Sequence, residues 1–509
     1  MNLLGAFQAN VARRPSFPAV RTVAGDISFA ALDARGEDVA GALRAAGIGP
    51  GDRVAVQTPN RPEFADVIIG LLKTGAVLVP VSFLDGPEQV GHIVSDSEAK
   101  VLFFDPMVGD TAAAVAEGDD DVLAVCFDGA DGLPGPSYHD FLAKARPAGT
   151  PADYGDEHTL YLGYTSGSTG TPKGVVKSHR SIVQLGLAVA VEWGLRPGFG
   201  HLVTMPMCHS GGLWQLMFDL CLGITAGFTP SRSFEPDTVL ELLTRWQCNW
   251  SIFVPTMSDL LLAQAADGEG GGFPDLEVVC SGSAPMFSST KEGLLGLFPH
   301  AELNECYGAT ETGVVTNLGH ADQARKTRCV GRPILGVQAK VVGPDNETLL
   351  PGEVGELVAR SPYLLDEYYR LPDATAAGRR PDGFFGVGDL ATTDDEGYFY
   401  IVDRKNDMII TGGLNVYPAE VEEVLKAHPA VADAIVVGLP HDKWGEQVTA
   451  AVVAVGGADV SAPELVDLCK QHLSAYKVPK DVRFLPELPK LVSGKNARRL
   501  VRDVLTGER

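Results

Sequence analysis

The sequence predicts an α/β protein. Its large N-terminal domain should be built of layered, mainly parallel sheets with a β-barrel-like unit appended, and a small α+β domain should follow. Three observations predict this. At 509 residues the chain is too long for one core, since single domains hold about 100–200 residues. Through the first two-thirds, short apolar runs alternate with amphipathic stretches, as in strands linked by helices, which implies parallel sheets covered on both faces. Near residue 335 the texture changes to short strands broken by Gly, Pro and Asp-Asn turns, the mark of antiparallel pairing.

The elements follow in order. "RVAVQTPN" reads as a strand entering a turn, and "PEFADVIIGLLKTG" as the helix after it. "AVLVPVS", "KVLFFD", "VLAVCFD" and "TLYLGYTS" are strand-like and separated by turn or helix signals. "HLVTMPM", the helical "GLWQLMFDLCLG", "WSIFVPT", the helical "MSDLLLAQAA" and "LEVVCSGSA" continue the alternation. "GVQAKVVGPDNETLLPGEVGELVAR" and "GYFYIVDR" supply the β-rich unit. After Arg404 come strand "DMIITGG", helix "PAEVEEVLKAH", strands "VADAIVVGLP" and "QVTAAVVAV", and helix "APELVDLCKQHL". Together these make an α+β domain of about 100 residues, and they divide the chain at 1–404 and 405–509.

Composition excludes several classes. A formal charge of −24 repels nucleic acid and anionic lipid over most of the surface. The eight cysteines form no C-x-x-C pair and mostly lie in apolar runs, so buried free thiols in a reducing compartment are expected rather than disulfides or zinc. No basic start leads into a long apolar stretch, and "VIIGLL" is far short of a membrane span. A cytoplasmic protein is expected. Acidic "EGDDD" and glycine-rich "DGEGGG" read as solvated loop tips.

One stretch carries chemistry. "YTSGSTGTPKGVV" (Tyr164–Val176) puts glycines, hydroxyls and a lysine between apolar flanks. A Walker A loop needs G-x-x-x-x-G-K-[ST]; here Gly167 and Gly170 are three apart and Lys173 is followed by Gly174. The spacing excludes the P-loop, while the residue types still suit phosphate oxygens: glycines for close backbone approach, hydroxyl donors and a cation. Alone, such a turn is more often an ordinary surface loop.

The stretch resembles the phosphate loop of the adenylate-forming superfamily of acyl-CoA synthetases, adenylation domains and luciferase. Further segments resemble that family in the same order: "MPMCHSGGL", "CSGSAPM", "ECYGATETG", "GVGDL" through "DRKNDMIITGG", and "PKLVSGKNARR". The resemblance implies an AMP-forming carboxylic acid–CoA ligase. A carboxylate attacks the ATP α-phosphate to give acyl-AMP and pyrophosphate, and coenzyme A then displaces AMP.

It also implies roles. Thr165, Ser166, Gly167, Ser168, Thr169, Gly170 and Lys173 would hold the β- and γ-phosphates. Thr310 would contact the α-phosphate, and Glu311 would hold Mg²⁺. Ser283, Ala284 and Pro285 would line the adenine side, with Tyr307 stacking on the base beside Gly308. Asp389 would take the ribose hydroxyls, with Arg404 behind it. His209 would lie beside the substrate carboxylate. Lys495 would bridge carboxylate and α-phosphate, and Gly412 and Gly413 would approach the pantetheine thiol. Read singly, each residue has a plainer reading: a packed tyrosine, a turn aspartate, a solvated lysine.

The family runs its two half-reactions by rotating a mobile C-terminal lid about a pivot, here at Asn406, where other members commonly carry Asp or Lys. The acyl pocket would draw on Trp214, Ser283, Cys306 and Ala309, with Gly211 and Gly212 leaving space. No Arg or Lys lies in "MPMCHSGGLWQLMFDLC" or "CSGSAPM", so a second carboxylate would lack a partner and an aryl, fatty or polycyclic monocarboxylic acid is expected. Coenzyme A is the default acceptor, with a carrier protein as the alternative. A homodimer is compatible with the sequence. An inactive nucleotide-binding homologue is argued against by intact Lys173, Glu311, Asp389 and Lys495.

Overall fold

The computed structural model describes the chain except residues 130, 146–151, 167–171, 267–271, 406, 442, 457, 490–497 and 508–509, and the side chains at 166 and 266. The described residues form two compact units, one of Met1–Ala339 with Ala359–Phe385 and one of Lys340–Val358 with Gly386–Arg509.

The first unit carries two large sheets. One has six strands in the order Leu123–Cys126, Ala99–Phe104, Arg53–Gln57, Val77–Val81, Thr159–Ser166 and Pro172–Ser178. Its strands run parallel except the last, which pairs antiparallel with Thr159–Ser166. The other has nine strands. A parallel series runs Glu302–Ala309, Val278–Ser281, Trp250–Ile252, Gly200–Val203, Thr225–Phe228, Pro18–Thr22, and antiparallel strands close both edges. The apolar alternation in the sequence thus becomes mainly parallel sheets covered by helices.

Local chemistry explains where the helices begin and end. Glu63–Thr74 opens with Glu63 and Asp66 in its first turn, where acidic groups favour the positive end of the helix dipole. It stops at Gly75, whose φ of 73° needs a residue without a Cβ. Every residue of this helix from Phe64 to Thr74 is buried. It packs against Phe29–Ala45 at almost backbone contact: a Cβ on Gly36 would lie 2.3 Å from Ile69, and one on Gly70 would lie 2.4 Å from Val39. Burying each large aliphatic side chain in that layer contributes about 1.5–3 kcal/mol.

The second unit holds two sheets. The β-rich texture after residue 335 is a four-stranded sheet ordered Gln338–Val342, Gly355–Arg360, Phe385–Thr393 and Phe399–Arg404. The Asp-Asn turn after its first strand puts Asn346 at φ 64°, a left-handed conformation that asparagine tolerates. The other sheet runs Leu414–Val416, Ile409–Thr411, Gly445–Ala454, Val431–His441, with Asp481–Phe484 parallel to Gly445–Ala454. Helices Pro418–Lys426 and Ala462–His472 share a core with it through Val421, Leu425, Leu465 and Cys469. All eight cysteines are free thiols, and six are buried. Among the described residues, no helix is long and apolar enough to cross a membrane.

Candidate active site

The phosphate-loop stretch is flanked by two antiparallel strands, Thr159–Ser166 and Pro172–Ser178. Thr165 pairs with Lys173, Tyr164 with Gly174, and Ser166 with Pro172, so two antiparallel strands set Thr165 and Lys173 opposite each other at the edge of the six-stranded sheet. Gly167, Ser168, Thr169 and Gly170 lie outside the described residues. The Lys173 ammonium sits over the ring of Tyr368, 5.5 Å from its centroid. Tyr368 in turn donates its hydroxyl proton to Glu311 Oε1 at 2.9 Å. One tyrosine therefore connects the expected phosphate lysine to the expected metal carboxylate.

Thr310 and Glu311 occupy the tight turn between Glu302–Ala309 and Gly313–Leu318, where Ala309 pairs with Gly313. The strands approach closely beneath it: a Cβ on Gly308 would lie 2.2 Å from the Gly313 carbonyl oxygen, so only glycine fits. Within the turn Thr312 Oγ1 accepts from the Ala309 amide at 3.1 Å. From behind, the Glu311 carbonyl accepts from the Leu365 amide at 2.6 Å and from Lys177 Nζ at 3.1 Å. Lys177 is fully buried, donates also to the Tyr363 carbonyl at 2.5 Å, and lies 5.8 Å over the Trp214 ring. Burial pushes its ammonium down to about 7, against the opposing charges of Glu311 and Asp366.

The acyl-side residues assemble on the helix Ser210–Leu222 and two strand ends. His209 is the cap residue preceding that helix, with extended backbone angles. Gly212 must be glycine, because a Cβ would meet the Pro206 carbonyl oxygen at 2.3 Å. A Cβ on Gly211 would reach Met205 at 2.9 Å and Ser283 Oγ at 3.8 Å, and one on Gly282 would reach Cys306 Sγ at 2.8 Å. Gly211, Ser283 and the Cys306–Ala309 strand end are therefore neighbours. Ser283 holds a left-handed φ of 69°, and Ser283, Ala284 and Pro285 are exposed after the strand Val278–Ser281. Non-glycine residues in that region are strained and cluster at ligand sites. Tyr307 pairs with Thr316, and an irregularity between Tyr307 and Gly308 re-aims the strand before the turn. Trp214 is buried and donates Nε1–H to the Tyr161 hydroxyl at 2.6 Å.

In the second unit, Asp389 and Arg404 stand opposite each other in register on adjacent antiparallel strands. Arg404 Nε lies 3.4 Å from Asp389 Oδ1, with Asp389 buried and Arg404 exposed. Gly412 and Gly413 form the turn of a short hairpin with φ of 59° and 81°. Consecutive positive φ angles are what a two-residue hairpin turn requires. Gly412 donates its amide proton to the Trp444 carbonyl at 2.8 Å. Asn406 and Lys495 lie outside the described residues.

Sequence reasoning missed Lys177 and Tyr368. Lys177 sits on one of the two strands that flank the phosphate loop, at a position that reads as an ordinary sheet residue. Tyr368, in "DEYYR", has no spacing that ties it to Glu311.

The sequence signature of AMP-binding enzymes matches residues 7–369, and that of the AMP-binding enzyme C-terminal domain matches residues 420–495. A feruloyl-CoA synthase of Amycolatopsis sp is 35% identical over 497 residues, 97% of each chain. A fatty acid–[acyl-carrier-protein] ligase, ScoC, of Streptomyces coeruleorubidus is 32% identical over 505 residues, 97% of this chain and 94% of that protein. The crystal structure of ATP-bound MatB from Rhodopseudomonas palustris matches with a TM-score of 0.88 at 31% identity, covering 99% of both chains. Matched along nearly its whole length in sequence and in fold, the chain belongs to the family of AMP-binding enzymes and is an AMP-forming acid–thiol ligase of the acyl-CoA synthetase type.

Proposed function

We propose that the chain activates an aryl, fatty or polycyclic monocarboxylic acid as its acyl-adenylate and passes the acyl group to coenzyme A. The observation that carries this is the Lys173–Tyr368–Glu311–Thr310 arrangement: a cation, a carboxylate and a hydroxyl held together by one strand pair and one turn. Three anionic centres meet in adenylation, so electrostatic clamping should dominate catalysis. Lys173 and the hydroxyls of Thr165, Ser166, Ser168 and Thr169 hold the departing pyrophosphate, and Thr310 holds the α-phosphate. Tyr307 stacks on adenine beside Ser283–Pro285, while Asp389 and Arg404 take the ribose. His209 and Lys495 orient the carboxylate.

Mg²⁺ fits the donor set. Among the described residues no group of three or more His, Cys, Asp or Glu could hold a metal alone. Mg²⁺ characteristically binds through one or two carboxylates and completes its shell with phosphate oxygens and water. Glu311 is the carboxylate. When bound, the ion would neutralise charge on the phosphates.

An apolar acid is supported by the character of the residues around Gly211: Trp214, Met205, Ser283, Cys306 and Ala309 are apolar or small. The cation behind Trp214, Lys177, is committed to the Glu311 and Tyr363 carbonyls, so it does not supply a partner for a second carboxylate. Feruloyl and fatty acyl groups, in the names of two relatives, are of the expected kind.

The same reading divides the work between residues 1–404, which bind ATP and acid, and a lid of 405–509 that pivots at Asn406 and brings Gly412–Gly413 to the thiol. It also places the enzyme in the cytoplasm. A second reading, transfer to a carrier protein, is favoured by the likeness to the carrier-protein ligase.

An acid panel scored by pyrophosphate release, with and without coenzyme A, tests both. Pyrophosphate release with CoA-dependent liberation of AMP supports the ligase. Adenylate that accumulates unchanged with CoA present points to the carrier. No release with any acid refutes the proposal. Lys495→Ala should abolish adenylation and spare thioester formation from pre-made acyl-AMP.

A further inference from the structure

We propose that Asn60 is a positioning residue for the acid half of adenylation. Its side-chain amide clamps the backbone of Met205–Met207 and so fixes the turn that presents His209 to the substrate carboxylate. The proposal rests on the assignment of His209 to that carboxylate.

The clamp has two contacts. Asn60 Nδ2 donates to the Met205 carbonyl at 2.8 Å, and Asn60 Oδ1 accepts from the Met207 amide at 2.8 Å. A backbone carbonyl only accepts and a backbone N–H only donates, so one orientation of the side-chain amide satisfies both. The two peptide groups flank Pro206, which has no N–H of its own to place. Pro206 is therefore held on both sides by a residue far earlier in the chain.

Pro206 opens the next turn. Its carbonyl accepts from the His209 amide at 3.2 Å, and the His209 carbonyl accepts from the Leu213 amide at 2.9 Å, in the first turn of the helix Ser210–Leu222. The same loop is braced from the helix side. Buried Gln215 donates from Nε2 to the Gly211 carbonyl at 2.8 Å and to the Met205 sulfur at 3.2 Å. Gly212 packs so tightly on the Pro206 carbonyl oxygen that a Cβ would lie 2.3 Å from it. Asn60 supplies the opposing brace, and His209 sits at the end of the turn between them.

Placement links the clamp to chemistry. Asn60 follows the strand Arg53–Gln57 of the six-stranded sheet, and Met205 follows the strand Gly200–Val203 of the nine-stranded sheet. Both lie beyond the carboxyl ends of parallel strands, where α/β sheets bind their ligands. Packing alone would be met by an apolar side chain. A paired donor and acceptor also fix the direction of both peptide groups, and small misplacements of an orienting group are costly to rate.

The test compares the full chain with Asn60→Asp, Asn60→Ala, His209→Ala and the Asn60→Ala/His209→Ala double variant. Asn60→Asp is isosteric: it keeps the acceptor for Met207 and turns an oxygen instead of a donor towards the Met205 carbonyl. Asn60→Ala removes both bonds. Pyrophosphate release is measured with the acid of the panel that gives the most, and AMP binding by calorimetry. Asn60→Asp and Asn60→Ala should each lower kcat/KM for the acid about tenfold, with KM for ATP and the Kd of AMP unchanged. The double variant should be no slower than His209→Ala alone, because the clamp acts through that residue.

Parent-like kcat/KM for the acid in both Asn60 variants, with His209→Ala impaired, overturns the clamp and leaves the His209 assignment standing. His209→Ala acting like the parent removes the assignment and the clamp with it. A double variant clearly slower than His209→Ala shows Asn60 acting by another route and overturns the proposal. So does weakened AMP binding in the Asn60 variants, which marks a general structural role. No pyrophosphate release by the parent with any acid refutes adenylation itself, and the clamp falls with it.

Discussion

Tyr368 donates its phenolic proton to Glu311 Oε1 at 2.9 Å while the Lys173 ammonium lies 5.5 Å over the same ring. The ring and the hydroxyl therefore serve different neighbours and can be separated. Tyr368→Phe keeps the surface under Lys173 but removes the donor that orients the Glu311 carboxylate. The Mg²⁺ concentration for half-maximal pyrophosphate exchange should rise about fivefold, with a smaller change in KM for ATP. Tyr368→Ala should raise KM for ATP as well, since the cation–π contact goes too. Mg²⁺ titrations at fixed ATP check this, and an unchanged Mg²⁺ requirement in Tyr368→Phe refutes it.

Lys177 should show a loss of function with little loss of stability. Its ammonium is one of two donors on the Glu311 carbonyl, so Lys177→Met loosens the turn that presents Thr310 and Glu311. A buried ammonium also carries a desolvation cost that methionine avoids, which offsets the two hydrogen bonds lost. Exchange should fall about tenfold, while the melting temperature stays within a few degrees, as expected for a net change below about 1 kcal/mol. A large drop in melting temperature at normal exchange rates would contradict the assignment.

The contrast between Lys173 and Lys177 shows what sequence could and could not disclose. Lys173 was legible because its motif has a fixed order of glycines and hydroxyls. Lys177, in "VVKSH", reads as a solvated strand residue. It is buried because the outer edge of its strand is covered by a segment far along the chain: the Asp366 amide donates to the Val176 carbonyl at 3.0 Å, and the Tyr369 amide to the Gly174 carbonyl at 2.7 Å. Helix ends were legible where local chemistry sets them, as at Gly75 and Gly223 with φ of 73° and 78°. Sheet order was not. Pro18–Thr22 lies beside Thr225–Phe228, a pairing that no local spacing encodes. The Asp389–Arg404 relation was legible as a motif, and the strand register supplies its physical cause.

His179 should make the protein acid-sensitive. It is 2% exposed, its Nδ1 accepts from the Leu3 amide at 3.3 Å, and its ring lies 5.0 Å from Tyr154 and 6.1 Å from His158. Burial, with His158 adding to it and Asp156 opposing, pushes it down to about 3. The unfolded chain takes up this proton near 6.5 and the folded chain does not. Between those values the unfolded state binds more protons, so stability is full above about 6.5 and falls as pH falls, by up to about 1.4 kcal/mol per pH unit. His179→Asn keeps an acceptor for Leu3 without a titrating ring. Urea unfolding from pH 7.5 to 5 should show the gap between parent and variant narrowing, and a constant gap would refute the assignment.

Arg498 gathers three carboxylates of the second unit. Its Nη2 donates to both Glu422 oxygens at 3.0 and 2.9 Å, and its Nη1 lies 3.2 Å from Asp407 and 3.5 Å from Asp403. Asp403 also accepts from the Arg404 and Ala419 amides at 2.8 and 3.0 Å, so the cluster ties the strand bearing Arg404 to the helix Pro418–Lys426. Burial already pushes the Asp403 and Glu422 carboxyls up, and Arg498 opposes that. Arg498→Met removes the opposing charge and leaves buried carboxylates unpaired, a change that should cost about 3 kcal/mol at pH 8. In the variant the folded carboxyls titrate above their unfolded values. They then bind protons that the unfolded chain does not, and stability returns as pH falls through the carboxyl range. Thermal unfolding of parent and variant at pH 8 and pH 5 should therefore show a wide gap closing to a narrow one, and a gap equal at both pH values would show that the arginine acts through packing rather than charge.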